Sequence, residues 1–226
     1  MLGCESDRIS VIPHGIDPEG FPVEPPDLVA RRALRAERRV IGYLARACQE
    51  KGLDQVIQAI ARLVQNGMDV ELVAAGATIP AEEEYLSGCH ALAHELGIAD
   101  RFFWRGQVDR SEKIKLLEEI DVFAMPTPVP EAKGIPVIEA MAAGVPVVAS
   151  ASGAFPELLG IHETSPAGEV HLPGDVNDLA RCLEGMLRDE SRAVTCGMAG
   201  HSRVGKLYQS HHMAISHESL YETVRR

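Results

Sequence analysis

Short apolar runs alternate with longer amphipathic segments over most of the chain. This pattern predicts strands over Val40–Leu44, Val70–Ala75, Phe102–Trp104, Val122–Met125, Val147–Ala149 and Glu169–His171. Several of these runs are apolar at every position, which is typical of parallel strands covered by helices on both faces. We therefore expect an α/β fold with a doubly wound, Rossmann-like parallel sheet.

The segments between the strands carry helical periodicity. Apolar residues between positions 53 and 64 recur at spacings of three and four, which places them on one helix face. Asp109 is followed three residues later by Glu112, which predicts a reciprocal cap at the start of a helix. Further helices are predicted over Ala81–Leu96 and Gly134–Ala143.

The two ends of the chain differ from this region. Residues 12–26 contain five prolines and two glycines, and residues 191–226 have a helical but polar pattern. The chain therefore divides into an entry segment over residues 1–38, a Rossmann-like domain over 39–190 and C-terminal helices over 191–226.

Composition argues against several classes of partner. The 226 residues include 22 Lys and Arg against 33 Asp and Glu, a net charge of −11, and a duplex-binding surface needs clustered positive charge. No apolar run reaches the roughly 20 residues of a membrane-spanning helix, and no signal peptide is evident. We therefore expect no nucleic-acid partner and no transmembrane segment. The five cysteines are scattered and form no Cys-x-x-Cys pair, which predicts reduced thiols and a cytoplasmic protein. These cysteines are Cys4, Cys48, Cys89, Cys182 and Cys196.

Ligands of open α/β sheets bind beyond the carboxyl ends of the strands, so the loops there are the candidate sites. Neither GxGxxG after the first strand nor GxxxxGK[ST] anywhere is present. The loop after the first strand carries Arg46 and Lys51, whose cationic groups suit phosphate oxygens. It could also be a solvated loop in which Glu50 neutralises one of the two cations.

A second candidate site lies at the start of the helix predicted from Gly134. Glycine lets a ligand approach the backbone closely, and Pro136 suits the first helical turn. The free N–H groups around Ile135 and Val137, together with the helix dipole, predict an anion site.

Two carboxylates flank this helix start. Glu131 precedes the helix and Glu139 lies in its early turns, and each could accept two hydrogen bonds from a vicinal diol. An anion site between two diol sites fits a nucleoside diphosphate sugar, with its ribose, diphosphate and hexose. Both acids could also be surface charges that the helix dipole stabilises.

Glu131 and Glu139 form an E-x7-E motif in the segment EAKGIPVIEAMAAGVPVVAS, which closely resembles the retaining glycosyltransferases of the GT-B fold, family 4 (glycosyl transferases group 1). The resemblance extends over about residues 5–190. Further matching segments follow family order: VIPHGID (Val11–Asp17), IGYLARACQEKGL (Ile41–Leu53), FWRGQVDRSEK (Phe103–Lys113), DVFAMPT and SGAFPEL (Ser152–Leu158).

The resemblance implies a role for each matching residue. Arg46 and Lys51 would hold the donor diphosphate, and Glu131 would bind the hydroxyls of the donor sugar; these three are the expected catalytic residues. Glu139 would bind the ribose. The remaining donor contacts would come from Gly134, Ile135, Pro136 and Val137 at the diphosphate and sugar, and from Val108 and Lys113 near the base. No resident cofactor is implied, because the nucleotide sugar is the donor substrate.

The sequence departs from the family at two points. Family members commonly have a second glycine shortly after the position of Gly76, where this chain reads Gly76-Ala77-Thr78. They also have an N-terminal domain that carries the acceptor site. We therefore expect the donor-binding half of a transferase, with an acceptor bound by an absent N-terminal domain toward which the last helices pack.

The implied reaction moves a sugar to an acceptor hydroxyl with retention of configuration. A nucleotide-sugar-binding module without activity is the alternative from another class, and a sugar-nucleotide epimerase or phosphorylase is an alternative on the same scaffold. A glycosidase is disfavoured because its carboxylates must flank one bond.

His90 and His94 share a helix face beside Cys89, but no further metal ligand is evident, so no metal is expected. The acids at 82–84 are interpreted as first-turn charges of a helix.

Overall fold

The protein contains one six-stranded parallel sheet in the order β3-β2-β1-β4-β5-β6. A computed structural model describes residues 8–33 and 38–225. Every neighbouring pair of strands runs parallel, which confirms the predicted fold class. The strands are β1 Arg39–Leu44, β2 Val70–Ala75, β3 Phe102–Trp104, β4 Val122–Met125, β5 Val147–Ser150 and β6 Gly168–His171.

Nine α-helices connect and cover the strands within the described residues: α1 Leu28–Ala33, α2 Leu53–Gln65, α3 Glu83–Glu95, α4 Arg110–Glu119, α5 Ile135–Ala142, α6 Phe155–Leu158, α7 Val176–Arg188, α8 Glu190–Leu207 and α9 Ser210–Val224. The helix predicted from residue 81 begins two residues later, because Pro80 opens a separate 3₁₀ turn over Pro80–Glu82. In the part of the chain that the structure covers, no helix is both long and apolar enough to cross a bilayer.

The reciprocal cap predicted at the start of α4 is confirmed. The Glu112 N–H donates to the Asp109 carboxylate at 2.9 Å. The Asp109 N–H donates back to the Glu112 carboxylate at 2.8 Å. Two otherwise unpaired amides at the helix start are thereby satisfied.

The sheet has a hydrophobic core on each face. Ile41 and Tyr43 of β1 pack with α2, α3 and α7, whereas Val40 and Leu44 pack with α4, α5 and α6. Because successive side chains of a strand point to opposite faces, a strand covered on both sides must be apolar at consecutive positions. This arrangement explains the uninterrupted apolar runs in the sequence.

The order of the strands creates a crevice at the carboxyl edge of the sheet. β1 and β4 are neighbours, with Ile41 aligned to Val122. From β1 the chain proceeds outward to β2 and β3, and from β4 it proceeds the other way to β5 and β6. The chain therefore leaves β1 and β4 toward opposite edges of the sheet, which makes this the topological switch point where open α/β sheets bind ligands.

Both ends of the chain contribute to the domain. The Ile16 N–H donates to the Tyr208 carbonyl, and the Ser210 N–H donates to the Ile16 carbonyl, each at 2.8 Å. Ile16, Phe21 and Tyr208 are buried in the core that contains α5. Apolar side chains from the predicted end segments 1–38 and 191–226 therefore pack against the sheet domain, whereas α9 buries none of its residues.

The four cysteines within the described residues are buried free thiols: Cys48, Cys89, Cys182 and Cys196. Cys4 lies outside the described residues. Burial raises the pKa of the Cys89 thiol to about 11 and that of the Cys182 thiol to about 12. Both thiols are therefore protonated at neutral pH and pack as small apolar side chains.

Candidate functional site

A cavity of about 380 Å³ opens at the carboxyl edge of β1 and β2. The loops after β1, β2 and β3 form part of its wall, and the start of α5 closes it. Six of the ten residues that the sequence singled out line this cavity: Arg46, Val108, Lys113, Ile135, Pro136 and Glu139. The loop that carries Arg46 and the start of helix α5 therefore line the same cavity.

Glu139 is a nearly buried carboxylate that lines the cavity. It lies in the second turn of α5, and only 6% of the residue is exposed. Its Oε1 forms an ion pair with the Lys113 ammonium group from the first turn of α4. The family resemblance implied that Lys113 would lie near the base. In the structure its ammonium group instead pairs with Glu139, the carboxylate expected to bind the ribose.

Glu131 and Lys51 form an ion pair with each other and are not among the residues that line the cavity. Burial by itself raises the pKa of the Glu131 carboxyl. The hydrogen bond and charge of Lys51, with the amides of Lys133 and Gly134, outweigh that effect and lower the pKa below its usual value. Glu131 is therefore an ionised acceptor at neutral pH.

The position of Lys51 is set by a short 3₁₀ turn over Gln49–Lys51. Gly52 ends this turn with a left-handed φ of +72°, a conformation that glycine adopts without steric cost. A Cβ at Gly52 would lie 3.1 Å from the Pro126 carbonyl oxygen after β4. The loops after β1 and β4 are therefore in close contact, which places Lys51 within reach of Glu131.

The start of α5 differs from the prediction at one amide. Gly134 has a left-handed φ of +61° and caps the helix. The Val137 N–H donates to the Gly134 carbonyl at 3.0 Å, and the Val137 side chain is fully buried. The prediction of a free Val137 amide is therefore wrong, because the first turn closes on the cap carbonyl. The Ile135 N–H, by contrast, has no acceptor among the described residues and remains able to meet an anion.

Arg46 has a partner that the sequence did not indicate. Its guanidinium group forms an ion pair with the Glu82 carboxylate, which comes from the turn after β2. Of the acids interpreted as first-turn helix charges, Glu83 and Glu84 lie in the first turn of α3, whereas Glu82 belongs to the 3₁₀ turn that precedes it. The partner of Arg46 is therefore Glu82 of a separate loop, and not its chain neighbour Glu50.

Six further residues line the cavity without having been singled out as ligands: Leu44, Ala45, Ala75, Gly76, Ala77 and Gln107. A Cβ at Gly76 would lie 1.7 Å from the Ala45 carbonyl oxygen, so the loops after β1 and β2 touch at this glycine. A glycine directly after an apolar strand was the available signal for this close approach.

Among the described residues, no group of three His, Cys, Asp or Glu side chains lies close enough together to hold a metal ion. Paired charges instead lie in and around the cavity. Arg46, Lys113 and Glu139 line it, and three ion pairs join three cations to three carboxylates, a formal sum of 3 − 3 = 0. Such a site can bind a ligand that carries both an anion and hydroxyl groups, because the anion attracts the cations and the hydroxyls donate to the carboxylates.

Comparison with known proteins gives a consistent assignment. A family model described as glycosyl transferases group 1 matches residues 27–203. The 2-deoxystreptamine glucosyltransferase of Streptomyces kanamyceticus is 31% identical over 227 aligned residues, which cover 99% of this chain and 56% of that protein. The chain spans about half the length of the curated relatives it matches.

Solved structures agree with this result. Sucrose-phosphate synthase from Thermosynechococcus elongatus has a TM-score of 0.81 at 27% identity, covering 95% of this chain and 52% of that one. Anabaena HepE, solved with UDP and glucose, has a TM-score of 0.81 at 24% identity and covers 99% of this chain and 58% of that one, a likeness of fold alone. The chain therefore belongs to the group 1 glycosyl transferases and has the fold of a GT-B C-terminal domain.

Proposed function

We propose that this chain is the donor-binding half of a retaining glycosyltransferase that uses a nucleoside diphosphate sugar. The observation that carries the proposal is the shared cavity, in which Arg46, the start of α5 and the buried Glu139 meet. The diphosphate would lie between Arg46, Lys51 and the Ile135 amide. The ribose hydroxyls would donate to Glu139, and the hydroxyls of the sugar would donate to Glu131.

In the proposed reaction, the cations of the site stabilise the leaving diphosphate. The bond between the anomeric carbon and the diphosphate oxygen breaks, and its electron pair leaves with the diphosphate. Arg46, Lys51 and the amide end of α5 stabilise the negative charge that grows on this leaving group. The acceptor hydroxyl, bound by a further domain outside this chain, would give its proton to an oxygen of the departing diphosphate while its oxygen forms the new bond to the anomeric carbon. No carboxylate of this chain needs to act as a nucleophile.

The proposal predicts that nucleoside diphosphate binding depends on Arg46 and Lys51. Titration calorimetry with UDP, GDP and ADP should show at least one ligand that binds the chain. Arg46→Ala and Lys51→Ala should each weaken that binding about tenfold or more, since charge-assisted hydrogen bonds contribute about 1.5–3 kcal/mol each. UDP is the first probe, because HepE was solved with UDP and glucose.

Arg188→Ala provides the matched control. Arg188 is an exposed cation in the last turn of α7, paired with Glu184, so its loss changes the net charge equally without touching the cavity. Unchanged affinity in both cavity variants, or an equal loss in the control, would contradict the proposed site.

A second candidate is a nucleotide-sugar-binding module without activity, which the half-length match to the relatives favours. Incubation of the chain with UDP-glucose, GDP-mannose or ADP-glucose separates the two. Release of the nucleoside diphosphate that disappears in Arg46→Ala supports an enzyme. Binding without release supports the module.

A further inference from the structure

Each cation assigned to the donor is already paired with a carboxylate in the structure. Two of the three carboxylates have proposed roles toward the sugar and the ribose, and the third, Glu82, has none. The pairs are Arg46 with Glu82, Lys51 with Glu131 and Lys113 with Glu139. In the Arg46–Glu82 pair, a residue expected to bind the diphosphate is therefore joined to an acid that has no proposed role.

Glu82 is held by its own turn as well as by Arg46. Its Oε1 contacts the guanidinium group, and its Oε2 accepts from the Ile79 N–H at 3.4 Å. The Glu82 side chain is 12% exposed, whereas that of Arg46 is 50% exposed. Because Arg46 is also the longer side chain, the guanidinium group can turn away while the carboxylate stays in place.

The loops that carry the pair are locked together by their backbones. The Ala47 N–H donates to the Ala77 carbonyl at 3.2 Å. The loops also touch at Gly76, where any side chain would clash with the Ala45 carbonyl. Glu82 therefore faces Arg46 because of the fold and does not depend on a chance side-chain encounter.

We propose that Glu82 acts as an internal competitor of the donor diphosphate for Arg46 and thereby sets the affinity for the nucleotide. The inference rests on the proposed function. Glu82 occupies an Nη1 donor of Arg46 and neutralises its charge, so a diphosphate that takes this donor must draw the guanidinium group away from Glu82. A free nucleoside diphosphate carries about one more negative charge than its sugar ester near neutral pH. Glu82 therefore disfavours the product more than the donor and promotes product release.

Calorimetry on Glu82→Gln tests this role with UDP, GDP, ADP and inorganic pyrophosphate as probes. The variant should bind the nucleoside diphosphate about two- to fivefold more tightly, the range of a solvent-screened ion pair. The gain for the matching nucleotide sugar should be smaller. Glu83→Gln removes the same charge from the next residue, which is exposed and starts α3, and should leave the affinity unchanged.

A double-variant cycle separates competition from a general charge effect. In an Arg46→Ala background, Glu82→Gln should no longer change the affinity. The inference is overturned if Glu82→Gln binds equally or more weakly, or if its gain persists without Arg46. If wild type and Glu82→Gln bind none of the four probes, the proposed function fails as well. Binding by the variant alone would still support the inference.

Discussion

Glu139 is a carboxylate that lines the cavity although almost all of its surface is buried. An ionised group in such surroundings needs compensating charge, which Lys113 supplies. The lysine also fixes the direction of the carboxylate, so that its remaining lone pairs are available to a ligand. Lys113 is therefore a positioning residue for Glu139 in the proposed site.

Glu139→Gln should abolish discrimination between ribose and deoxyribose. Wild type should bind the ribonucleoside diphosphate about tenfold more tightly than its 2′-deoxy analogue, since a hydrogen bond to a charged group contributes about 1.5–3 kcal/mol. The variant should bind both with similar affinity, as measured by calorimetry. Glu131→Gln is the control and should retain the preference, because Glu131 is assigned to the sugar. Retained preference in Glu139→Gln would place the ribose elsewhere.

The loop after β5 supports the segment that carries Glu131. The Ala154 N–H donates to the Glu131 carbonyl at 2.8 Å. Gly153 has a left-handed φ of +59°, and a Cβ there would lie 2.2 Å from the Glu131 carbonyl oxygen. The SGAFPEL segment therefore contributes to the proposed site through its backbone, by holding Glu131 against Lys51.

Gly153→Ala should reduce both stability and donor binding. Gly67→Ala is the matched control, because Gly67 has a similar positive φ of +81° and nothing within 4 Å of an added Cβ. The control should lose about 1 kcal/mol of unfolding free energy from backbone strain alone. Gly153→Ala should lose at least about 2 kcal/mol and weaken nucleotide-sugar binding. Urea denaturation and calorimetry measure the two effects, and equal losses would refute the contact.

A buried histidine lies at the end of β6. His171 is 1% exposed, and its Nδ1 lies 2.9 Å from the Leu172 carbonyl oxygen. Burial lowers the pKa of His171, although the Leu172 carbonyl and the charges of Asp178 and Asp175 oppose the shift. The folded protein therefore holds His171 neutral at pH values where the unfolded chain binds a proton.

This linkage predicts an acid-sensitive contribution to folding. The contribution is full above the unfolded pKa of about 6.5 and is lost as the pH falls toward the lowered folded pKa. The slope reaches at most about 1.4 kcal/mol per pH unit. In urea denaturation at pH 7.5 and 5.5, His171→Gln should lose less stability on acidification than wild type. The exposed His94→Gln should behave as wild type, and an unchanged slope in His171→Gln would contradict the assignment.

The strands, helices and fold class could be predicted from the sequence because their signals are local. Apolar runs located all six strands, and the Asp109–Glu112 spacing located a helix start. These features depend on side-chain periodicity and on hydrogen bonds between residues a few positions apart. The same local signals placed Arg46 in the loop after β1 and Glu139 in the early turns of the helix that follows β4, on the side of the sheet where ligands bind.

The pairing of the site's charges was decided by the three-dimensional structure. The three ion pairs join residues 26, 36 and 80 positions apart, and the order of the strands and the contacts between their loops determine which charges meet. Glu82 therefore gave no sequence signal as the partner of Arg46. The hydrophobic pattern determined which elements form, whereas the strand order determined which side chains face one another across the crevice.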